Sequence, residues 1–213
     1  MQVKTFVVNH YEVNSYLYFD SELKEGILID PGFYYEDEKN KLIEFIFENK
    51  LNIKYIINTH GHIDHIIGNN FVKNFLKAPV YLNKNDWFLR DNILDYSEVF
   101  GFQTNTIPHI DYDLIPNDKF LIGENEIITI HTPGHSPGSI CLINHKDRFI
   151  FSGDLIFRNS IGRTDLPGGN YDLIINSIRN ILFNNCGNEY LIFPGHGEKT
   201  SVLYEKENNQ FLI

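Results

Sequence analysis

Cysteine is scarce in this chain of 213 residues: Cys141 and Cys186 are the only two, too few to staple a fold. Cys141 falls within the strand pattern Ile140-Cys141-Leu142-Ile143 and reads as a small core residue, and Cys186 lies in Asn184-Asn185-Cys186-Gly187 near a helix end. No stretch approaches the ~20 apolar residues of a membrane span, and Met1-Gln2-Val3-Lys4-Thr5-Phe6 lacks the apolar run of a signal peptide. These absences point to a reducing cytoplasm and to no membrane partner. Basic residues are also few, 18 Lys and Arg against 28 Asp and Glu, for a formal charge of −10. That balance argues against a nucleic-acid partner, which requires clustered Lys and Arg. No Gly/Ser/Pro-rich linker, repeat or low-complexity tract divides the chain. With 42% apolar residues, positions 1–213 are expected to form one domain with a substantial core.

Histidine is where the sequence concentrates its chemistry. His60, His62, Asp64 and His65 stand together in Thr59-His60-Gly61-His62-Ile63-Asp64-His65, and His135, Asp154 and His196 follow 70, 89 and 131 positions after His65. Neutral imidazole and carboxylate suit borderline divalent metals such as zinc, and a metal can turn water into a hydroxide nucleophile near neutral pH. Local patterns place all seven on loops. Lys54–Asn58 reads as a strand, and Asp64–Leu76 as a helix carrying Ile67, Phe71 and Phe75, so the cluster lies between them. Ile127–Ile130 runs into Thr132-Pro133-Gly134-His135, Phe149–Ser152 into Gly153-Asp154, and Leu191–Phe193 into Pro194-Gly195-His196. Each later residue thus follows a short strand at a glycine-bearing turn. A structural or capping role explains any one of these residues, but it would have to be invoked seven times. For His10, His109, His131 and His145 the structural role is the reading adopted.

The remaining pattern gives strands near Lys4–Val8, Ser15–Phe19 and Gly26–Ile29, with Asp30-Pro31-Gly32 as a turn. A helix with Leu42, Ile43, Ile46 and Phe47 facing inward comes next. Further on are a strand at Pro79–Leu82, a helical patch around Trp87–Arg90 and a weakly patterned stretch from Asp95 to Asp118. Strands recur at Lys119–Leu121, Ile127–Ile130, Ser139–Ile143 and Phe149–Phe151, and a last helix from Tyr171 to Phe183 aligns Ile174, Ile178 and Ile181. Meanders broken by helices suggest an α+β fold of two packed sheets with helices outside.

The His-x-His-x-Asp-His cluster, followed by His135 in Thr132–Gly138, Asp154 in Phe151–Asp154 and His196 in Phe193–Gly197, resembles the metallo-β-lactamase superfamily over nearly the whole chain. The resemblance implies that superfamily's four-layer αβ/βα sandwich with two mixed β-sheets. It also implies two metal ions, zinc first and iron or manganese as alternatives, held by His60, His62, Asp64, His65, His135, Asp154 and His196. Asp64 is then expected to be catalytic as well as a ligand. Neither cysteine occupies a metal position, unlike the secreted β-lactamases proper.

Ser160-Ile161-Gly162-Arg163-Thr164-Asp165-Leu166-Pro167-Gly168-Gly169 resembles the corresponding stretch of short bacterial glyoxalase II-like hydrolases, which cleave S-(2-hydroxyacyl)glutathione thioesters. Larger enzymes of that kind carry a C-terminal helical domain for glutathione. The chain runs 17 residues past His196, so such a domain is not expected and glutathione specificity is left open. Arg163 has two readings: a substrate-binding clamp for a carboxylate of a glutathione-like small molecule, or a surface ion pair with Asp165. Two activities also stand. A thioester or ester hydrolase uses two metals, whereas a persulfide dioxygenase, which has a similar Gly-Arg-Thr-Asp stretch, uses one iron on His60, His135 and Asp154. The complete second set of Asp64, His65 and His196 favours the hydrolase, with lactone and β-lactam hydrolysis as variants within that class.

Overall fold

Val13–Asp20 is buried along almost its entire length, the pattern of a strand covered on both faces, and it forms β2 between β1 (Gln2–Val8) and β3 (Glu25–Ile29). The computed structural model describes residues 1–213 and divides into two compact units, Met1–Leu114 and Ile115–Ile213, each built on a six-stranded mixed sheet.

In the first unit the strand order is β1-β2-β3-β4-β5-β6, with β4 at Asn52–Ile57, β5 at Val80–Leu82 and β6 at Tyr112–Asp113. β1 to β3 form an antiparallel meander, and the pairings from β3 to β6 are parallel. Parallel neighbours need crossovers, and helices supply them: α1 (Glu36–Asn49), α2 (Ile63–Ile66), α3 (Asn69–Leu76), α4 (Trp87–Asp91) and α5 (Ile93–Tyr96). α1 buries Leu42 and Ile46 into the core of Phe6, Leu17, Phe33 and Val80, with Phe45 packed beside them. Phe47, expected to face inward, is 69% exposed, because Phe45 shares the face of Leu42 and Ile46 and Phe47 lies off it. The single helix expected over Asp64–Leu76 is two helices. Gly68 donates its N–H to Pro31 O (3.0 Å), and a Cβ there would lie 2.3 Å from that oxygen, so the turn fits glycine alone.

In the second unit the order is β14-β13-β10-β9-β8-β7, with β7 at Lys119–Ile122, β8 at Asn125–His131, β9 at Ile140–Asn144, β10 at Phe149–Gly153, β13 at Leu191–Pro194 and β14 at Thr200–Ser201. A small hairpin of β11 (Ile156–Phe157) and β12 (Ser160–Ile161) follows β10. α6 (Tyr171–Asn176) continues through a π-helical stretch, Ser177–Leu182, into α7 (Phe183–Asn185). The wider turns shift the buried stripe by one residue, so Ile174 and Ile178 are followed into the core by Leu182 instead of Ile181. The terminal helix α8 (Val202–Asn208) buries Glu205, which accepts from Asn209 Nδ2 (2.7 Å) and Asn159 N (3.1 Å). That carboxylate ties the helix to the turn of the β11–β12 hairpin. No helix is long and apolar enough to cross a membrane.

The inward face of α1 sets a stability contrast. Leu42→Ala should cost about 2–5 kcal/mol in urea unfolding, and Phe47→Ala less than about 1 kcal/mol. Equal losses would return Phe47 to the core.

Candidate metal centre

Strand pairing brings the first group of donors together. β3 and β4 run parallel with Ile29 opposite Ile57, so the residues just past their carboxyl ends, Asp30 and Thr59, become neighbours. Ligands of open α/β sheets gather at such ends. Asp30 is buried and sits at φ 48°, a left-handed conformation that aims its carboxylate at the His60 turn. Its Oδ1 accepts from Thr59 N (2.6 Å), and its Oδ2 accepts from Thr59 Oγ1 (2.7 Å) and lies 3.0 Å from His65 Nδ1. With the Thr59 hydroxyl proton committed to Asp30, Oγ1 accepts from His60 Nδ1 at 3.1 Å. The His60 imidazole therefore carries its proton on Nδ1 and turns the Nε2 lone pair outward, the tautomer a metal ligand needs, and the Asp30 carboxylate beside His65 Nδ1 favours a proton on that nitrogen too.

The remaining motif residues ride on α2. His62 precedes its first residue, and Asp64 and His65 lie within it, with Asp64 Oδ2 3.6 Å from His65 Nε2. His60 and His65 stack with ring centroids 4.1 Å apart, and His60 and His62 lie 4.9 Å apart edge to face. Asn9, also at positive φ (51°), braces the helix from the β1–β2 turn, its Nδ2 donating to Gly32 O and Asp64 O, each at 2.9 Å. Its own N–H donates to Glu38 Oε1 (2.7 Å), the buried carboxylate that also takes Tyr34 N and Tyr35 N at the start of α1. Tyr96 is a neutral neighbour: burial first, then the charges of Asp64 and Asp86, push its phenol up, and it donates to Leu89 O.

In the second unit the register Gly153 opposite Pro194, with Gly195 N donating to Gly153 O (2.8 Å), sets Asp154 beside His196. Asp154 Oδ2 lies 3.5 Å from His135 Nε2 and 3.4 Å from His196 Nε2, so one carboxylate oxygen faces two imidazole nitrogens. His135 donates from Nδ1 to Arg163 O (2.8 Å), which again leaves Nε2 as the lone-pair nitrogen. Gly162 makes this arrangement possible: a Cβ there would stand 1.8 Å from Asp154 O and 3.1 Å from His135 Nδ1. The Arg163 side chain forms an exposed bidentate pair with Asp165 (both 2.7 Å), and that hydrogen bond draws the Asp165 carboxyl down to about 2.

His10, His109, His131 and His145 each hold a local partner: Phe100 O, Asp111, Pro137 O and Tyr190 Oη. Both thiols are buried, which pushes each up to about 12. Asp30 and Asn9 escaped the sequence reading. An Asp at the carboxyl end of a buried strand was the available signal for the first, and it read as an ordinary turn residue. Asn9 offered none, because its partners lie 23 and 55 positions away.

The donor chemistry, imidazoles of fixed tautomer with carboxylates beside them, fits borderline divalent metal ions. Two mixed sheets with helices, each presenting His and Asp side chains just past its strand ends, define an α+β metal-binding protein. The chain belongs to the metallo-beta-lactamase superfamily, a superfamily of metallo-hydrolases, whose family model matches residues 9–196. It is 34% identical over 221 aligned residues to the hydroxyacylglutathione hydrolase GloC of Haemophilus influenzae, covering the whole chain and 98% of that protein. The BLEG-1 B3 metallo-beta-lactamase superposes with a TM-score of 0.89 at 31% identity, covering 99% of both chains. TTHA1623, in a di-iron-bound form, superposes with a TM-score of 0.85 at 30% identity, covering all of both. The metallo-beta-lactamase fold expected from the motifs is thus the fold observed.

Asn9 separates backbone strain from bonding. Asn9→Gly keeps the left-handed turn but loses the bonds to Gly32 O and Asp64 O, and should cost about 1–3 kcal/mol in urea unfolding of the metal-free protein. Asn9→Ala should cost about 1 kcal/mol more, because its Cβ disfavours φ 51°. Equal losses would show that the turn conformation contributes nothing.

Proposed function

We propose that His60, His62 and His135 hold one divalent ion, that Asp64, His65 and His196 hold a second, and that Asp154 bridges them in a hydrolase that cleaves S-(2-hydroxyacyl)glutathione. The observation that carries this reading is Asp154 Oδ2, placed between His135 Nε2 and His196 Nε2, one imidazole from each ligand set. A mononuclear iron on His60, His135 and Asp154 gives no role to His196. Similarity to GloC along the full chain supports the thioester, and the Gly162–Asp165 stretch beside His135 supports a substrate loop there. Zinc is the ion proposed. The di-iron form of TTHA1623, a structural relative at 30% identity, makes iron the alternative to test.

Bound divalent ions supply Lewis acidity and water activation. The chain's own groups do the rest. Asp64, with 14% of its side chain exposed, accepts a proton from the attacking water and delivers it to the sulfur as the C–S bond breaks and the C–O bond forms. Arg163 exchanges the Asp165 carboxylate for one on the glutathione moiety, a like-for-like swap that costs little at an exposed site. The buried carboxylate of Asp30 holds His65 directly, and His60 through Thr59, so that neither ring must reorient on loading. A cytoplasmic location, where glutathione conjugates are available, accompanies this proposal.

The zinc-loaded protein should release thiol from S-lactoylglutathione without consuming oxygen. Asp64→Asn, at full metal content, should lower turnover by orders of magnitude. Arg163→Ala should raise KM much more than it lowers kcat. Stoichiometric oxygen uptake with glutathione persulfide and no thiol release would replace the hydrolase with the iron dioxygenase. An unchanged KM would leave Arg163 as the partner of Asp165.

A further inference from the structure

The hairpin of β11 and β12 carries two arginines whose surroundings differ. Arg163, after β12, has its fork filled by Asp165, with both bonds at 2.7 Å. Arg158, in the turn between the strands, makes one ion pair, from Nε to Glu198 Oε2. At 3.8 Å it is too long for a hydrogen bond, and the Glu198 side chain is 82% exposed. The Arg158 guanidinium is nonetheless held in place, because it lies over the Tyr204 ring, 4.5 Å from the centroid. Stacking of this kind covers one face of the planar group and leaves its N–H edge open.

The turn itself is pinned. Asn159 adopts φ 61°, and its N–H is shared between the two oxygens of buried Glu205 (3.1 and 3.4 Å). The same carboxylate accepts from Thr200 Oγ1 and Asn209 Nδ2, and Asn209 Nδ2 also donates to Ser160 O (3.0 Å). Glu205 follows Tyr204 on α8, so one helix holds the backbone of the turn with a carboxylate and the head of Arg158 with a ring. An exposed ion pair needs no such support, since two long side chains in water gain little from meeting. Phe157, next to Arg158, packs edge to face against the His196 ring with centroids 6.0 Å apart, and Glu198 lies two residues past His196. A fixed guanidinium with open donors therefore borders the loop that carries a proposed metal ligand. The chain has a formal charge of −10, so an anionic substrate depends on local cations of this kind. Ile156 faces Ile161, and each arginine lies two residues beyond in opposite directions, which puts their Cα atoms roughly 13 Å apart along the hairpin. An extended three-residue chain covers about 10–11 Å, and two long arginine side chains close the difference.

We infer that Arg158 is a second carboxylate-binding position of the substrate site, so that with Arg163 it holds both ends of a glutathione moiety, a tripeptide with a carboxylate at each end; this rests on the thioester hydrolase reading proposed above.

The test uses the full zinc-loaded chain as wild type, Arg158→Ala, Arg158→Lys, Tyr204→Leu and Tyr204→Phe. Calorimetry with S-methylglutathione, a thioether that cannot be hydrolysed, reports binding. S-lactoylglutathione and two carboxamide analogues, one amidated at the glycine end and one at the glutamyl end, report kcat and KM. Arg158→Ala should weaken S-methylglutathione roughly 5–20-fold and raise the KM of S-lactoylglutathione by as much, with kcat within about twofold and an unchanged urea midpoint. Arg158→Lys, which keeps the charge without the planar fork, should fall between. Tyr204→Leu should weaken binding because the guanidinium loses its support, and Tyr204→Phe, which keeps the ring, should bind as wild type. One of the two carboxamides should show the same KM with wild type and Arg158→Ala, which identifies the carboxylate that Arg158 holds. The other should show the full effect of the substitution. Unchanged affinity in Arg158→Ala, an equal loss with both carboxamides, or a loss that follows a lowered unfolding midpoint would overturn the inference. Thiol release from S-lactoylglutathione by the wild type keeps the two readings apart. If it is present while Arg158→Ala binds normally, only the role of Arg158 fails. If the wild type neither binds S-methylglutathione nor releases thiol, the hydrolase reading fails and the inference with it.

Discussion

The first unit depends on one buried carboxylate. Asp30 receives the Thr59 N–H and the Thr59 hydroxyl, lies 3.0 Å from His65 Nδ1, and through the hydroxyl sets the proton position on His60. No residue of the histidine turn itself could do this, since an imidazole left to choose its tautomer presents either nitrogen. The arrangement exists only because β3 and β4 pair in parallel with Ile29 opposite Ile57. A slip of one residue would turn the carboxylate to the other face of the sheet. Hydrophobic patterning in β3, whose last four residues are buried, is therefore what fixes the electrostatics of the site.

The same device recurs. Four buried carboxylates each accept a backbone N–H from a distant turn: Asp30 from Thr59, Glu38 from Asn9, Asp86 from Gly61, and Glu205 from Asn159, and Glu38 also takes the nearby Tyr34 and Tyr35. Charge-assisted bonds of this kind are short and strong, and truncating the acceptor leaves buried donors unsatisfied. In a chain with two reduced, buried cysteines, they do the cross-linking of loops that disulfides do elsewhere. They also account for part of the acidic excess. Some of the negative charge is interior structure and not surface.

What was legible in the sequence was what repeats locally or matches a motif. The strand-then-turn placement of His135, Asp154 and His196 and most strand segments are properties of short windows, and the structure has them, whereas Asp64 and His65 fall inside α2. What was not legible depends on partners far along the chain. Asp30, Asn9 and Asp86 act on residues 29, 55 and 25 positions away, so each reads alone as a turn former. The helix faces failed for a different reason. A regular 100° step cannot anticipate the π stretch that replaces Ile181 with Leu182 in the core, nor the Gly68 contact with Pro31 that cuts one helix into two.

The two donor groups also differ in how they are held. The first, with His60 and His65 buried and His62 and Asp64 half-buried, is braced at both ends by side chains from other elements, Asp86 on Gly61 N and Asn9 on Asp64 O. The second is fixed by backbone: His135 by the Arg163 carbonyl, Asp154 and His196 by the β10–β13 pairing and the Gly153–Gly195 bond. His196 is correspondingly more open, at 26% side-chain exposure against none for His65. A side chain held by charge responds to the charge it faces, whereas one held by backbone does not. In the second unit the Arg163 carbonyl orients His135 while the guanidinium stays outside with Asp165, so one residue holds a buried imidazole and an exposed carboxylate at once.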